Sequence, residues 1–309
     1  MRLVFLGTPQ FAIPSLSWLH ESHEIGLVIT RPSRPVGRKQ TRTPPPVFEE
    51  AERLGLDCIQ PTNVNSAKVI GRVRSVEPTA LVAVAFGRII GPELLTVAPH
   101  GVLNVHPSLL PRHRGAAPVQ GAVLAGDSET GVTIMQMDQG LDTGPILAQR
   151  ATPIGPNEMA YDLEARLAAV GAELLVEILE QLERGLVELR PQDESLATMT
   201  RPLKRADGVI DWRRPAEEVF RQWRALHPWP GTSTNAGQKT FKVLSCAVAE
   251  CAEGSGPPGR ARFDGRRLIV ETGKGCLEIN RIQPEGGRPM GGREFAIGHR
   301  AALEVDWGV

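Results

Sequence analysis

No stretch of this 309-residue chain comes near the roughly 18 uninterrupted apolar residues that a membrane-crossing helix needs, so no membrane association is expected. The opening MRLVFLGTPQ is interrupted by Gly7-Thr8-Pro9 before a signal-type apolar core can build up, and a cytoplasmic location is expected. Cysteine is scarce. Cys58, Cys246, Cys251 and Cys276 form no C-x-x-C pair and no Cys/His zinc spacing, so the sequence predicts four free thiols in a reducing compartment and no metal. Nor is there an excess of charge of either sign, with 35 basic against 35 acidic side chains. Several catalytic signatures are also missing. Gly7 has no glycine two residues later and Pro9 removes a backbone donor, which disfavours a nicotinamide cofactor. Neither a phosphate-binding P-loop, nor G-x-S-x-G, nor H-E-x-x-H occurs.

What is present argues for two domains, because the length exceeds what one hydrophobic core usually supports. Charge is unevenly spread: residues 1–203 carry 18 basic and 22 acidic side chains, residues 204–309 carry 17 and 13. A basic module attached to a mildly acidic one points toward a polyanionic partner. Short Val/Ile/Leu-rich runs at Leu3–Leu6, Ile25–Ile29, Leu81–Phe86, Val102–Val105 and Val132–Met137 alternate with helix-like segments. This is the pattern of strands covered on both faces, and it predicts an α/β, doubly wound, mostly parallel sheet. An apolar stripe from Leu163 to Leu182 in steps of three or four residues predicts a long helix that Gly185 ends. Periodicity is then lost. The boundaries expected are a catalytic domain over 1–187, a linker over 188–203 and a C-terminal domain over 204–309, whose short strands and Gly/Pro turns suggest a small β-barrel.

The densest chemistry lies between Gly101 and Gly144. Strand alternation sends Asn104 and His106 to the same side, at the carboxyl end of a strand, where open α/β sheets bind ligands. An amide that can donate to a developing oxyanion, an imidazole that moves protons near neutral pH and a carboxylate to orient it, from Asp138 or Asp142 on either side of Gly140, make a kit for acyl transfer to an amine. No activated Ser or Cys nucleophile accompanies them. The loop Arg31–Thr43 is rich in arginine and suits phosphate contacts. In the C-terminal part Lys204, Arg205, Arg213, Arg214, Arg221, Arg224, Lys239 and Lys242 are candidates for a phosphate-facing surface.

These motifs, taken together, resemble the folate-dependent formyltransferases, of the group that acts on methionyl-tRNA. The resemblance rests on Asn104-x-His106, on Ser108-Leu109-Leu110-Pro111-Arg112-x-Arg114-Gly115, and on Met135-Gln136-Met137-Asp138-x-Gly140-Leu141-Asp142-Thr143-Gly144. Gly7-Thr8-Pro9, Arg34-Pro35-x-Gly37-Arg38, the strand end at Phe86-Gly87, Asp211-Trp212 and Pro228-Trp229-Pro230-Gly231 follow in the same order. It implies a formyltransferase-type sheet followed by an OB-like barrel, and formyl transfer from 10-formyltetrahydrofolate, as co-substrate, to the α-amine of methionyl initiator tRNA by a monomer. It further implies Asn104, His106 and Asp142 as catalytic residues. Ser108, Leu109, Leu110, Pro111, Phe86 and Gly87 are implied as folate contacts, and Arg34, Arg38, Lys39 and Arg42 as tRNA contacts. Gln10 and His113 depart from the family's usual acidic and aromatic residues. An amino-sugar nucleotide as acceptor, or hydrolysis of the formyl folate, are the alternative activities.

Overall fold

The computed structural model describes residues 1–36, 40–251 and 256–308. By Cα proximity it divides into two compact units, the first built from residues 1–118, 129–153 and 163–200, the second from 119–128, 154–162 and 201–308.

The first unit is organised by a seven-stranded sheet. In spatial order its strands are Ile146–Pro153, Glu129–Gln136, Val102–His106, Ala80–Val84, Arg2–Gly7, Glu24–Ile29 and Cys58–Ile59. Five neighbouring strands are parallel, but Glu129–Gln136 runs antiparallel to Val102–His106, pairing Val105 with Ile134 and His106 with Thr133. The βαβ reading thus holds for the parallel part and ends where the chain reverses. Strand Ala80–Val84 is buried at every position, the mark of a strand covered on both faces. The helix expected over Leu163–Leu182 spans Ala160–Glu183. Gly171 lets it lie close to the sheet, since a Cβ there would come within 2.8 Å of a Val105 methyl group. One core of this unit joins Val4, Leu6, Leu27, Ile29, Leu81 and Val102 to Val69, Ile70 and Val73 of the helix Ala67–Arg74. Within the basic loop Arg34–Val36 pairs antiparallel with Thr41–Thr43, and Arg34 and Arg42 are exposed. Arg38 and Lys39 lie outside the described residues.

The second unit holds an antiparallel sheet in the order Thr232–Ala236, Lys239–Ala249, Cys276–Pro284, Leu268–Glu271 and Ala261–Phe263, with Met290–Gly291 added on Cys276–Pro284. It is an OB-like β-domain. Phe241, Phe295 and Trp307 stack and edge together in its core, and Trp212 hydrogen-bonds the Thr234 hydroxyl at 2.8 Å, which explains why the Asp211-Trp212 pair belongs to this domain's framework. Of the basic residues considered for a phosphate-facing surface, Lys204, Arg205, Arg213, Lys239 and Lys242 are exposed, although Arg213 is ion-paired with Asp211. Arg224 does not belong with them. It is buried, lies over the Phe220 ring and donates to the carbonyls of Gly155 and Glu158, so it secures a loop within its unit.

The expectation of four free thiols is also corrected: Cys251 and Cys276 are joined in a disulfide, while Cys58 and Cys246 are free. Antiparallel register places Ala249 opposite Cys276, so Cys251, two residues on, comes within bonding reach across a separation of 25 residues that carries no local signal. Cys251, Glu271 and Cys276 bring ligand-type atoms within 4.8 Å of one another, but the sulfurs are bonded together and Glu271 is ion-paired with Arg262. Closing a loop of this length stabilises the folded state by about 3.5 kcal/mol in the chain-entropy account. Unfolded without reductant, the protein is expected to titrate as two thiols and after reduction as four, with a lower denaturant midpoint for the reduced form; four thiols before reduction would show that the bond does not form.

Candidate active site

Three neighbouring parallel strands end together around the candidate site. Strand Arg2–Gly7 runs into Thr8, whose hydroxyl donates to the Phe86 carbonyl at 3.0 Å. Strand Ala80–Val84 leaves through Ala85 and Gly87, both at positive φ (46° and 69°), with Phe86 between them buried. Strand Val102–His106 supplies the two polar groups. Asn104 is half-buried and stands opposite Ala83 and Met135; His106, on the same side, is buried.

His106 is held by an interaction its sequence position does not reveal. Its Nε2 lies 3.1 Å from the His113 carbonyl oxygen, and because that oxygen can only accept, Nε2 carries the proton. In the neutral ring Nδ1 is therefore the basic atom. It faces Asp142 Oδ2 at 3.7 Å, which is within ion-pair range but too long for a hydrogen bond. Burial lowers the His106 pKa below its ordinary value, and the Asp142 carboxylate and the His113 carbonyl offset this only in part, so the ring is neutral at neutral pH. Asp142 is itself at positive φ (56°), and its Oδ2 accepts from the Gly115 N–H at 2.8 Å.

The segment after His106 is a tightly bonded bend. The buried Ser108 hydroxyl donates to the Arg112 carbonyl at 2.6 Å, Thr133 Oγ1 donates to the Ser108 carbonyl and accepts from Leu110 N–H, and Gln149 donates to the Leu110 carbonyl. The Leu110–Pro111 peptide bond is cis. In the Asp138 loop, the Asp138 carboxylate accepts from Gly140 N–H and from the Thr143 hydroxyl, so it serves the turn and is not directed at His106.

Sequence reasoning missed the contribution of the segment taken as a linker. Gln192 donates to the carbonyls of Asp142 and Gly144, both at 2.8 Å, and its oxygen accepts from Arg114 Nε and Nη2. Arg114, buried, is also bidentate on Glu194. Thr198 and Thr200 bond the backbone of residues 113–117, and Met199–Thr200 pairs with Arg114–Gly115 as a short parallel ladder. Gly115, at φ 107°, is required there because a side chain would strike the Thr200 carbonyl. No spacing rule could expose Gln192, which is 50 residues from its partner Asp142.

A strand-end amide, a buried neutral imidazole and a carboxylate beside it form a site for acyl transfer, and comparison with known proteins gives the class. Residues 1–179 match the formyl transferase family and residues 202–300 match the formyl transferase C-terminal domain. The chain belongs to the formyl transferase family. Among its relatives are the methionyl-tRNA formyltransferases of Anaeromyxobacter dehalogenans, 45% identical with 97% of both chains covered, and of Trichlorobacter lovleyi, 42% identical with 98% of this chain and 95% of the relative covered. Within the family the chain is thus similar, over nearly its whole length, to enzymes named methionyl-tRNA formyltransferases. Its fold is shared with the N-formyltransferase of Helicobacter canadensis, solved with folinic acid and dTDP-3-aminofucose (TM-score 0.67, 18% identity, 90% of this chain and 98% of that one). The glycinamide ribonucleotide transformylase of Symbiobacterium toebii matches over 62% of this chain and 94% of its own (TM-score 0.52, 23% identity). Among the described residues, no helix is long and apolar enough to cross a membrane.

Proposed function

We propose that the chain transfers the formyl group of 10-formyltetrahydrofolate to the α-amine of methionyl initiator tRNA, and that Asn104, His106 and Asp142 perform the transfer. The observation that carries the reading is the buried His106 ring, with Nε2 engaged by a carbonyl and Nδ1 turned to Asp142. The neutral amine attacks the formyl carbon, and its electron pair forms the new C–N bond. The carbonyl oxygen becomes an oxyanion, to which the Asn104 amide donates. The amine's proton passes to His106 Nδ1, where the Asp142 carboxylate stabilises the imidazolium. The tetrahedral centre collapses, the bond to N10 breaks, and the proton is returned to N10 as it departs.

Ser108–Pro111 and the Phe86–Gly87 turn, at adjoining strand ends, are read as the folate-contacting backbone. Arg34 and Arg42 of the basic loop, with Arg38 and Lys39, are read as contacts to the tRNA acceptor end. The protein is read as a cytoplasmic monomer.

The test is formyl transfer measured side by side on methionyl initiator tRNA and on an amino-sugar nucleotide, with formate release followed when no acceptor is added. Only the tRNA is expected to be formylated, and its KM is expected to rise steeply with salt because phosphate contacts release counterions. Preference for the nucleotide, or acceptor-independent formate release at the same rate, would overturn the reading.

A further inference from the structure

Four residues from three separate segments close a ring around the carboxylate. Gln192 holds Asp142 by its backbone carbonyl and, through Gly144, the turn that follows it. The oxygen of the same side-chain amide takes two donors from Arg114. Arg114 is bonded covalently to Gly115, whose N–H holds Asp142 Oδ2, and on its other side to His113, whose carbonyl holds His106 Nε2. One amide side chain therefore ties together the two backbone segments that set both neighbours of the imidazole. Two of the residues it restrains, His113 and Asp142, have φ of 59° and 56°, a region that non-glycine residues leave unless their surroundings hold them there. The strap bearing Gln192 is itself anchored close by, since Arg190 and Ile146 exchange backbone hydrogen bonds at 2.8 and 2.9 Å.

We propose that Gln192 is a positioning residue for formyl transfer: it bridges Arg114 and the Asp142–Gly144 turn so that the Asp142 carboxylate stays against His106. This deepens, and rests on, the reading that Asp142 acts together with His106. Gln192 acts through the groups it holds, Arg114 and the Asp142 and Gly144 carbonyls. The segment 188–200 accordingly takes part in catalysis and does more than connect.

The side chain's two ends have different duties, which gives the test its resolution. Gln192→Met removes both and keeps the volume. Gln192→Glu keeps an acceptor for Arg114 but sets a carboxylate oxygen against the Asp142 and Gly144 carbonyls. Both variants are expected to lower kcat by roughly 10- to 100-fold, the scale of a small displacement of a reacting group, with KM for tRNA and folate little changed. The charged and titratable groups around His106 are Asp142, the His113 ring and, behind Asp142, Arg114. When the carboxylate is no longer held beside the ring, the imidazolium loses its partner, so the acid limb of kcat/KM moves to lower pH in Gln192→Met. A residue that served only folding would reduce the folded fraction and scale kcat without moving that limb. Wild-type kcat in Gln192→Glu, or an unmoved acid limb in Gln192→Met, overturns the inference. Asp142→Asn, assayed beside them, separates the two levels. If it retains turnover, the role given to the carboxylate fails; if it loses turnover while the Gln192 variants do not, only the role of Gln192 fails.

Discussion

Asn104→Ala is expected to lose roughly 10²- to 10³-fold in kcat, the loss seen when one oxyanion donor is removed from an acyl-transfer site, while tRNA binding persists. The reason is geometric. Asn104 and His106 are two residues apart on one strand and so share a side of the sheet, and the strand is pinned by parallel pairing to Ala80–Val84 and antiparallel pairing to Glu129–Gln136. The backbone that carries the amide is thus fixed before substrate arrives. Asn104→Asp tests the same point from the other side, since it keeps the shape but replaces the N–H donor with a negative charge facing the oxyanion. It should be at least as damaging as the alanine. Near-wild-type kcat in Asn104→Ala, measured with saturating folate and tRNA, would remove Asn104 from the mechanism.

His106→Ala is expected to abolish most turnover, a loss on the order of 10²- to 10⁴-fold for a general base. The pH dependence adds a signed prediction. Burial is the largest influence on His106 and lowers its pKa, so the basic form survives below the ordinary imidazole value of about 6.5. The acid limb of kcat/KM should accordingly lie below that value, with activity falling as pH drops through the lowered pKa. An acid limb above it would mean that the Asp142 pairing dominates over burial, or that another group is titrating. The same shift enters stability. A histidine whose folded pKa is depressed binds a proton more readily when unfolded, so its contribution is complete above the unfolded pKa and is lost as pH falls below it. His106→Ala should therefore reduce the acid sensitivity of the denaturant midpoint near pH 6 even as it removes activity. An undiminished slope there would assign that sensitivity to other groups.

The site was partly legible before any coordinates. Asn104 and His106 could be placed on one face because the period of a strand is a local property, and the bend at Ser108–Pro111 announces itself by its prolines. The choice between Asp138 and Asp142 came only through resemblance, because nothing in 35 intervening residues tells which carboxylate returns to the imidazole; the structure uses Asp142 at His106 and spends Asp138 on a turn. The same limit applies elsewhere. Composition marks 188–203 as linker-like, yet Gln192, Glu194, Thr198 and Thr200 from it are bonded to residues 111–117 and 142–144. Spacing separates Cys251 from Cys276, yet strand register joins them.

By itself the amino-acid order determined what depends on neighbours along the chain: buried strands from unbroken Val/Ile/Leu runs, the long helix from its 3.6-residue stripe, and the pairing of Asn104 with His106 across one intervening residue. Tertiary structure alone decided that Glu129–Gln136 turns antiparallel, that a carbonyl and not a carboxylate orients the imidazole, and that Gln192 closes the ring behind Asp142. The difference is physical. Periodicity and turn chemistry act over a few residues, whereas a hydrogen bond between groups 50 residues apart exists only once the sheet has brought their segments side by side.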